Sequence, residues 1–210
     1  VSEDERDKMR VSDHITCSEL PCVDVRHEGL IIPDLDVNPA SIAIILISEA
    51  APADPADHYY AGGDPLFQQT TVQAFRDAGA DVASIQDIVG RGVYLTTAVK
   101  CGKTGYNLKA GTIRECSLLL EEEIGLFSNI QVFLLMGDVA IKAINYIAKR
   151  VGEERVIPAG STYKIRGNEY YFRGRRAFPS YVQAGRSFFI EKSKRRMIAE
   201  DIAAALSLVQ

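Results

Sequence analysis

Apolar residues recur along this chain in two rhythms, one of short continuous runs and one of helical spacing. Ile42 to Ile47 is an unbroken aliphatic run, too short for a helix and rich in β-branched residues, as a strand covered on both faces requires. It ends in Ser48-Glu49-Ala50-Ala51-Pro52, a loop at the strand's carboxyl end. Val93 to Val99 predicts a second strand, leading into Lys100-Cys101 and a Gly-rich loop, and Gln131 to Met136 predicts a third. Between them Thr70 to Ala78 predicts a helix closed by Gly79. Thr112 to Phe127 places Ile113, Cys116, Leu119, Leu120, Ile124 and Phe127 on one helical face. Gly137-Asp138 opens a helix over Val139 to Lys149, with Asp138 as its cap. Tyr163 to Ile165 and Glu169 to Phe172 predict a hairpin around Arg166-Gly167-Asn168. Arg176-Ala177-Phe178 predicts a further strand ending at Pro179-Ser180, and a last helix covers Ser193 to Leu206. Strand, loop and helix in series predict a three-layer α/β/α fold around a central, mainly parallel, four-stranded sheet. Ligands of such sheets sit beyond the carboxyl ends of the strands, so Ser48 to Pro52, Thr96 to Cys101, Gly137-Asp138 and Phe178 to Tyr181 are expected to converge on one crevice.

A length of 210 residues fits a single domain over 1–210, and 47% hydrophobic with 25% charged residues excludes a disordered or collagen-like chain. The apolar runs fall far short of the roughly 20 residues that span a bilayer, so no membrane association is expected. The charged start Val1 to Asp7 lacks the apolar core of a secretory signal, which points to the cytosol. The net charge of −4 hides an asymmetry: Arg150 to Arg196 holds twelve Lys/Arg, Arg186 among them, against four acids. A local excess of +8 suggests a basic face for a polyanion, or equally the solvated face of a terminal helix.

The four cysteines are Cys17 and Cys22 in the N-terminal loop 14–27, Cys101 after the second strand, and Cys116 on the following helix. Four thiolates can hold a tetrahedral zinc or a [4Fe-4S] cluster, and the wide second pair leans toward the cluster. Four unrelated buried thiols are the plainer reading. His14 and His27 are near enough in sequence to enter a metal shell.

With these residues in place, the chain resembles the uracil-DNA glycosylase superfamily, most closely its iron-sulfur, family 4-like branch. Ser48-Glu49-Ala50-Ala51-Pro52 resembles the G-E-A-P-G motif, Thr96-Thr97-Ala98-Val99-Lys100-Cys101 resembles T-N-V-V-K-C, and Phe178-Pro179-Ser180-Tyr181 resembles H-P-S-Y. Met136 to Ile144 is similar to the family's L-G-x-x-A-x-x-A-L helix start. Cys17, Cys22, Cys101 and Cys116 occupy the places of the family's cluster ligands, although four residues separate the first pair where the family has two.

The resemblance implies a monomeric, monofunctional DNA repair enzyme that flips a deaminated base from single- or double-stranded DNA and hydrolyses its N-glycosidic bond, with a structural [4Fe-4S] cluster. The loop Ser48 to Pro52 would hold the sugar-phosphate and the water, with Glu49 as the nearby acid and Ala50 in contact with the nucleotide. Tyr60 or Phe67 would stack on the base, while Phe178, Ser180, Tyr181 and Arg186 would grip DNA. Three positions depart from the family: Thr97 stands for the uracil-reading Asn, Phe178 for the base-binding His, and Ala50 where other branches place a water-activating Asp. A silent nucleic-acid-binding homologue is the alternative that these departures suggest.

Overall fold

A computed structural model describes residues 8–18, 21–105 and 107–209; the charged start at 1–7 and residues 19 and 20, between the first two cysteines, lie outside them. The central sheet has five strands: β1 Ile44–Ala50, β2 Val93–Val99, β3 Val132–Met136, β4 Tyr170–Phe172 and β5 Arg175–Ser180, in the order β2-β1-β3-β5-β4. The first four in that order run parallel, with Ile45 opposite Tyr94 and Phe133, and Leu134 opposite Phe178. β4 adds itself antiparallel to β5 as the fifth strand.

Period-2 alternation along the strands builds two cores. Ile45, Ile47, Phe133 and Leu135 face one side, where α3 (Ala110–Gly125) and α4 (Asp138–Arg150) pack. Ile44, Leu46, Val132, Leu134 and Met136 face the other. There α1 (Leu66–Asp77), α2 (Ile85–Gly90) and α7 (Lys192–Ser207) close the third layer. Two further helical turns, α5 (Thr162–Ile165) and α6 (Ser187–Ile190), flank β4 and β5. The chain moves from β1 out to β2 and returns to the far side of β1 for β3. The reversal at β1 opens a crevice at its carboxyl end.

The hairpin lies elsewhere than the sequence suggests. Tyr163 and Ile165 belong to the turn α5, and β4 folds back onto β5 through Arg173-Gly174, with φ of 52° and 73°. A two-residue hairpin turn with both central residues at positive φ matches the twist of the strands it joins, whereas Arg166-Gly167-Asn168 does not meet that requirement. Asp138 is likewise not a cap: Gly137 occupies that position, and the Asp138 carboxylate pairs with Lys142 one turn on. Ahead of the sheet, Val25–Arg26 pairs antiparallel with Gly102–Lys103, which draws the N-terminal loop against the end of β2.

Candidate functional site: a crevice at the end of strand β1 and a four-cysteine cavity

At the carboxyl end of β1 lies a crevice of about 920 Å³ whose wall includes Ser48, Glu49, Ala50, Pro52, Phe67 and Val182. Its rim carries Lys103, Lys142 and Asp138. The loop after β1 is fixed by its backbone, since the Ala51 N–H donates to Val99 O at 2.9 Å. Glu49 reaches across to the start of α4. A Cβ on Gly137, where φ is +104°, would lie 2.6 Å from Glu49 Oε1 and 2.5 Å from Val182 Cγ2. Glycine is therefore what lets the Glu49 carboxylate lie against the N-terminal end of a 13-residue helix, where the helix dipole favours an anion.

Beneath this wall the hydroxyls form a relay that sequence reasoning missed. Ser48 Oγ and Tyr59 OH share a hydrogen bond, and Gln183 Nε2 donates to Tyr59 OH at 2.9 Å. Tyr59 and Gln183 are fully buried, and burial pushes the Tyr59 phenol up to about 12. Phe67 packs on Tyr59 with ring centroids 5.4 Å apart, so one aromatic face lines the crevice over a second that supports it. His58, beside them, is buried with Nε2 unpartnered, and desolvation, with a smaller contribution from the Lys100 charge, lowers it to about 4. The run His58-Tyr59-Tyr60 in a loop was the available signal.

The other expected residues separate into two groups. Ala50 and Phe67 line the crevice with Glu49, as placed above. Tyr181 is half-buried and lines an adjoining hollow of about 350 Å³ that shares Glu49, Asp138 and Val182 with it; Lys194 Nζ sits 5.6 Å from the Tyr181 ring. Arg186 is exposed between the crevice-lining residues Ala184 and Ser187. Thr97 is buried directly opposite Ser48 on the neighbouring strand, and its carbonyl accepts from Lys100 Nζ at 2.7 Å. Tyr60 is drawn away from the crevice: its hydroxyl donates to Leu95 O (2.9 Å) and accepts from Leu95 N (3.0 Å) on the outer strand β2. Phe178 is 8% exposed, packs in the core on the α7 side, and is covered by the Arg176 guanidinium 4.5 Å from its ring. Ser180 is buried and donates to Asp201 Oδ2 at 2.5 Å, while Arg166 holds both Asp201 oxygens at 3.1 and 2.7 Å.

Much of the basic segment is paired within the fold. Arg150 and Arg173 both pair with Glu121, Arg166 with Asp201, Lys194 with Glu191, Arg195 with Asp77, and Arg196 with Glu200. Six of its twelve cations are thus tied to acids of the fold itself.

All four cysteines converge on a cavity of about 210 Å³, together with Val25, His27 and Leu30. All are free thiols. Burial pushes Cys101 up to about 12, with Cys116, Cys17 and Cys22 adding to the shift, so the four sulfurs lie within electrostatic reach of one another. Cys116 is raised to about 11 by burial, against the opposing pull of the Lys100 N–H, which donates to Sγ at 3.2 Å, and of the Lys100 charge. His27 lies in the same wall, with Nε2 2.7 Å from the Cys22 carbonyl, whereas His14 is exposed and lies outside it. Among the described residues, no three His, Cys, Asp or Glu side chains close around a single ion position. The donor set is therefore four soft sulfurs spaced around a shared space.

An α/β sheet with a carboxylate-bearing crevice at its switch point, walled in part by Phe67, belongs to the class of open-sheet domains that carry a ligand site there. The family model of the uracil DNA glycosylase superfamily matches residues 36–204, and the chain belongs to that superfamily. No curated protein matches the chain. Among the described residues no helix is long and apolar enough to cross a membrane.

Proposed function

We propose that this protein is a DNA glycosylase of base-excision repair, hydrolysing the N-glycosidic bond of uracil or a related deaminated base flipped into the crevice. It is proposed to act as a monomer in the cytosol. The observation that carries this reading is the Glu49 carboxylate, held at the mouth of the crevice against Gly137 and facing the same space as Phe67. A flipped base stacks on Phe67. Its edge meets the Ser48 hydroxyl, which Tyr59 holds from behind. Glu49 orients the attacking water and stabilises positive charge developing on the sugar, while the hydroxyls and backbone donors of the loop receive negative charge on the departing base. A hydroxyl donates or accepts equally well, so this edge suits more than one deaminated base.

Four cysteine sulfurs lining one shared cavity are the donor set that a [4Fe-4S] cluster takes, with one zinc as the alternative occupant. Cys17, Cys22, Cys101 and Cys116 would be the cluster's ligands. When bound, the cluster supplies a structural cross-link from the N-terminal loop to the end of β2 and to α3. Anaerobically purified protein is expected to be brown with about four irons per chain. Cys116→Ser is expected to lose the colour, and stoichiometric zinc in colourless protein would overturn the assignment.

The activity test uses excess holoprotein on oligonucleotides carrying uracil, hypoxanthine or xanthine, with alkali cleavage to reveal abasic sites. Glu49→Gln is expected to slow product formation by about 100-fold, within the range for a positioned acid–base group. Failure to open an abasic site from any of the three bases in either strand context rejects the enzyme. Binding that weakens steeply with salt and yields no product would support a silent DNA-binding homologue instead. Thr97 and the core-packed Phe178, at the positions of the base-reading amide and imidazole, are the observation that favours that second reading.

A further inference from the structure

The crevice does not end at Lys142. A second groove of about 470 Å³ runs on from it along the outer side of α4, sharing Leu108, Ile113 and Lys142 with the crevice wall and continuing past Tyr146 to Lys149 and Arg155. The helix presents this side because Ala140, Ile141, Ala143, Ile144, Ile147 and Ala148 are buried against the sheet. That leaves Lys142, Tyr146 and Lys149 in a row at spacings of four and three. Arg155 is brought to the end of the row by Asn145, whose amide donates to Ile157 O and accepts from Ile157 N, both at 3.0 Å, pinning the segment after the helix. The groove holds three cations against one acid, Glu153. Lys142 is paired with Asp138, but among the described residues Lys149 and Arg155 make no ion pair. This is unlike the basic segment as a whole, where half of the cations are neutralised within the fold.

We propose that this groove is a track for one DNA strand, carrying the nucleotides on one side of the base held in the crevice. The inference rests on the glycosylase reading and extends it from the flipped nucleotide to its flank. Charge favours a polyanion, continuity with the crevice gives it the same occupant, and the half-buried Tyr146 ring between two cations offers a face on which an unpaired base stacks. Lys142 and Lys149 are seven residues apart, about 10 Å along the helix. At about 3.4 Å per nucleotide of a stacked strand, that spans two to three phosphates.

The test measures binding of the Glu49→Gln holoprotein to single-stranded oligonucleotides bearing one uracil with tails of zero to five nucleotides on either side. Affinity is expected to rise with tail length on one side only and to level off by the third nucleotide. In the Lys149→Ala/Arg155→Ala variant the gain from the tail is expected to fall about tenfold, and the salt dependence to lose about 1.4 of its log–log slope, 0.7 per phosphate. Tyr146→Ala is expected to weaken tailed oligonucleotides by roughly tenfold and to leave the untailed one unchanged. If the wild type cleaves uracil DNA and these variants bind every tail as the parent does, with the same salt slope, the track is refuted while the glycosylase reading stands. If the wild type neither binds nor cleaves, both fall. Loss of binding to an acidic peptide but not to DNA in the variants would assign the groove to a protein partner and overturn the proposal.

Discussion

Replacing Lys100 by methionine tests how the end of β2, between the crevice and the cysteines, is held in place. Lys100 and Glu123 are fully buried and ion-paired. The ammonium also donates to Thr96 Oγ1 and Thr97 O, both at 2.7 Å, while the carboxylate accepts from Tyr94 OH at 2.6 Å and from Thr96 Oγ1 at 2.9 Å. Lys100→Met keeps most of the stem's packing and leaves the carboxylate buried with two hydroxyl donors and no counter-charge. Breaking one side of a buried pair costs about 3–5 kcal/mol. In a chain of this length each kcal/mol moves Tm by about 2–4 °C, so a fall of roughly 6–20 °C is expected. Lys100→Met/Glu123→Leu removes the desolvation penalty together with the attraction, and its expected loss is only about 1–2 kcal/mol, mainly the acceptor taken from Tyr94 and Thr96. With each single variant losing about 3–5 kcal/mol, the coupling in the double-mutant cycle is then about 4 kcal/mol or more. Urea denaturation of wild type, both single variants and the double variant, followed anaerobically by far-UV circular dichroism, measures all four corners. Additive losses, or a single variant within 1 kcal/mol of wild type, would refute the reasoning.

Gly137→Ala is expected to reduce base excision at least tenfold and to cost about 1–3 kcal/mol, because the new Cβ meets Glu49 and Val182 on a backbone at φ +104°; excision kinetics beside a melting curve check both parts. His58 is neutral in the folded protein down to about pH 4, whereas in the unfolded chain it takes up a proton near 6.5. The unfolded state therefore binds more protons as pH falls, and acidification from 7.5 to 5 is expected to remove about 2 kcal/mol that the His58→Gln variant does not lose, measured as the difference between their urea midpoints. Asp201→Asn leaves Arg166 with Glu200 alone and deprives Ser180 of its carboxylate acceptor, for an expected cost of about 3 kcal/mol. A variant as stable as wild type in the same denaturation assay would show that this network does not anchor the end of β5.

β1 and β3 were legible because a strand buried on both faces is written as a short, continuous run of apolar residues, and the edge strand β2 because its seven residues, Tyr94, Thr96 and Thr97 among them, are of the types that favour strands. The order of elements placed Cys101 and Cys116 on adjacent structures, whereas Cys17 and Cys22, in an irregular loop, were joined to them only through the resemblance to the family. α1 begins at Leu66, four residues before the expected start, because Pro65 provides no side-chain cap to mark the boundary. The Tyr59 relay was marked only by the aromatic run His58-Tyr59-Tyr60, because its members come from a strand end and two irregular loops, which have no period to follow. Asp201 sits on the buried side of α7, where an amphipathic reading expects an apolar residue; Arg166, 35 positions earlier, and the Ser180 hydroxyl make it tolerable there. The charge surplus of residues 150–196 was legible as a count, but a count of charges does not reveal that half of these cations pair with intramolecular acids.

The hydroxyl of Tyr60 has a bearing on how these molecules behave when crowded. β2 is an outermost strand of the sheet, and an outermost strand offers unpaired N–H and C=O groups on which a neighbouring chain can assemble. Tyr60 spends its hydroxyl on both groups of Leu95, and Lys100 takes the carbonyl of Thr97 two residues on. The same loop that shapes the crevice thereby acts as a stopper against edge-to-edge fibre growth. Tyr60→Phe would keep the ring and lose the stopper, leaving the fold intact while its tolerance of high concentration falls.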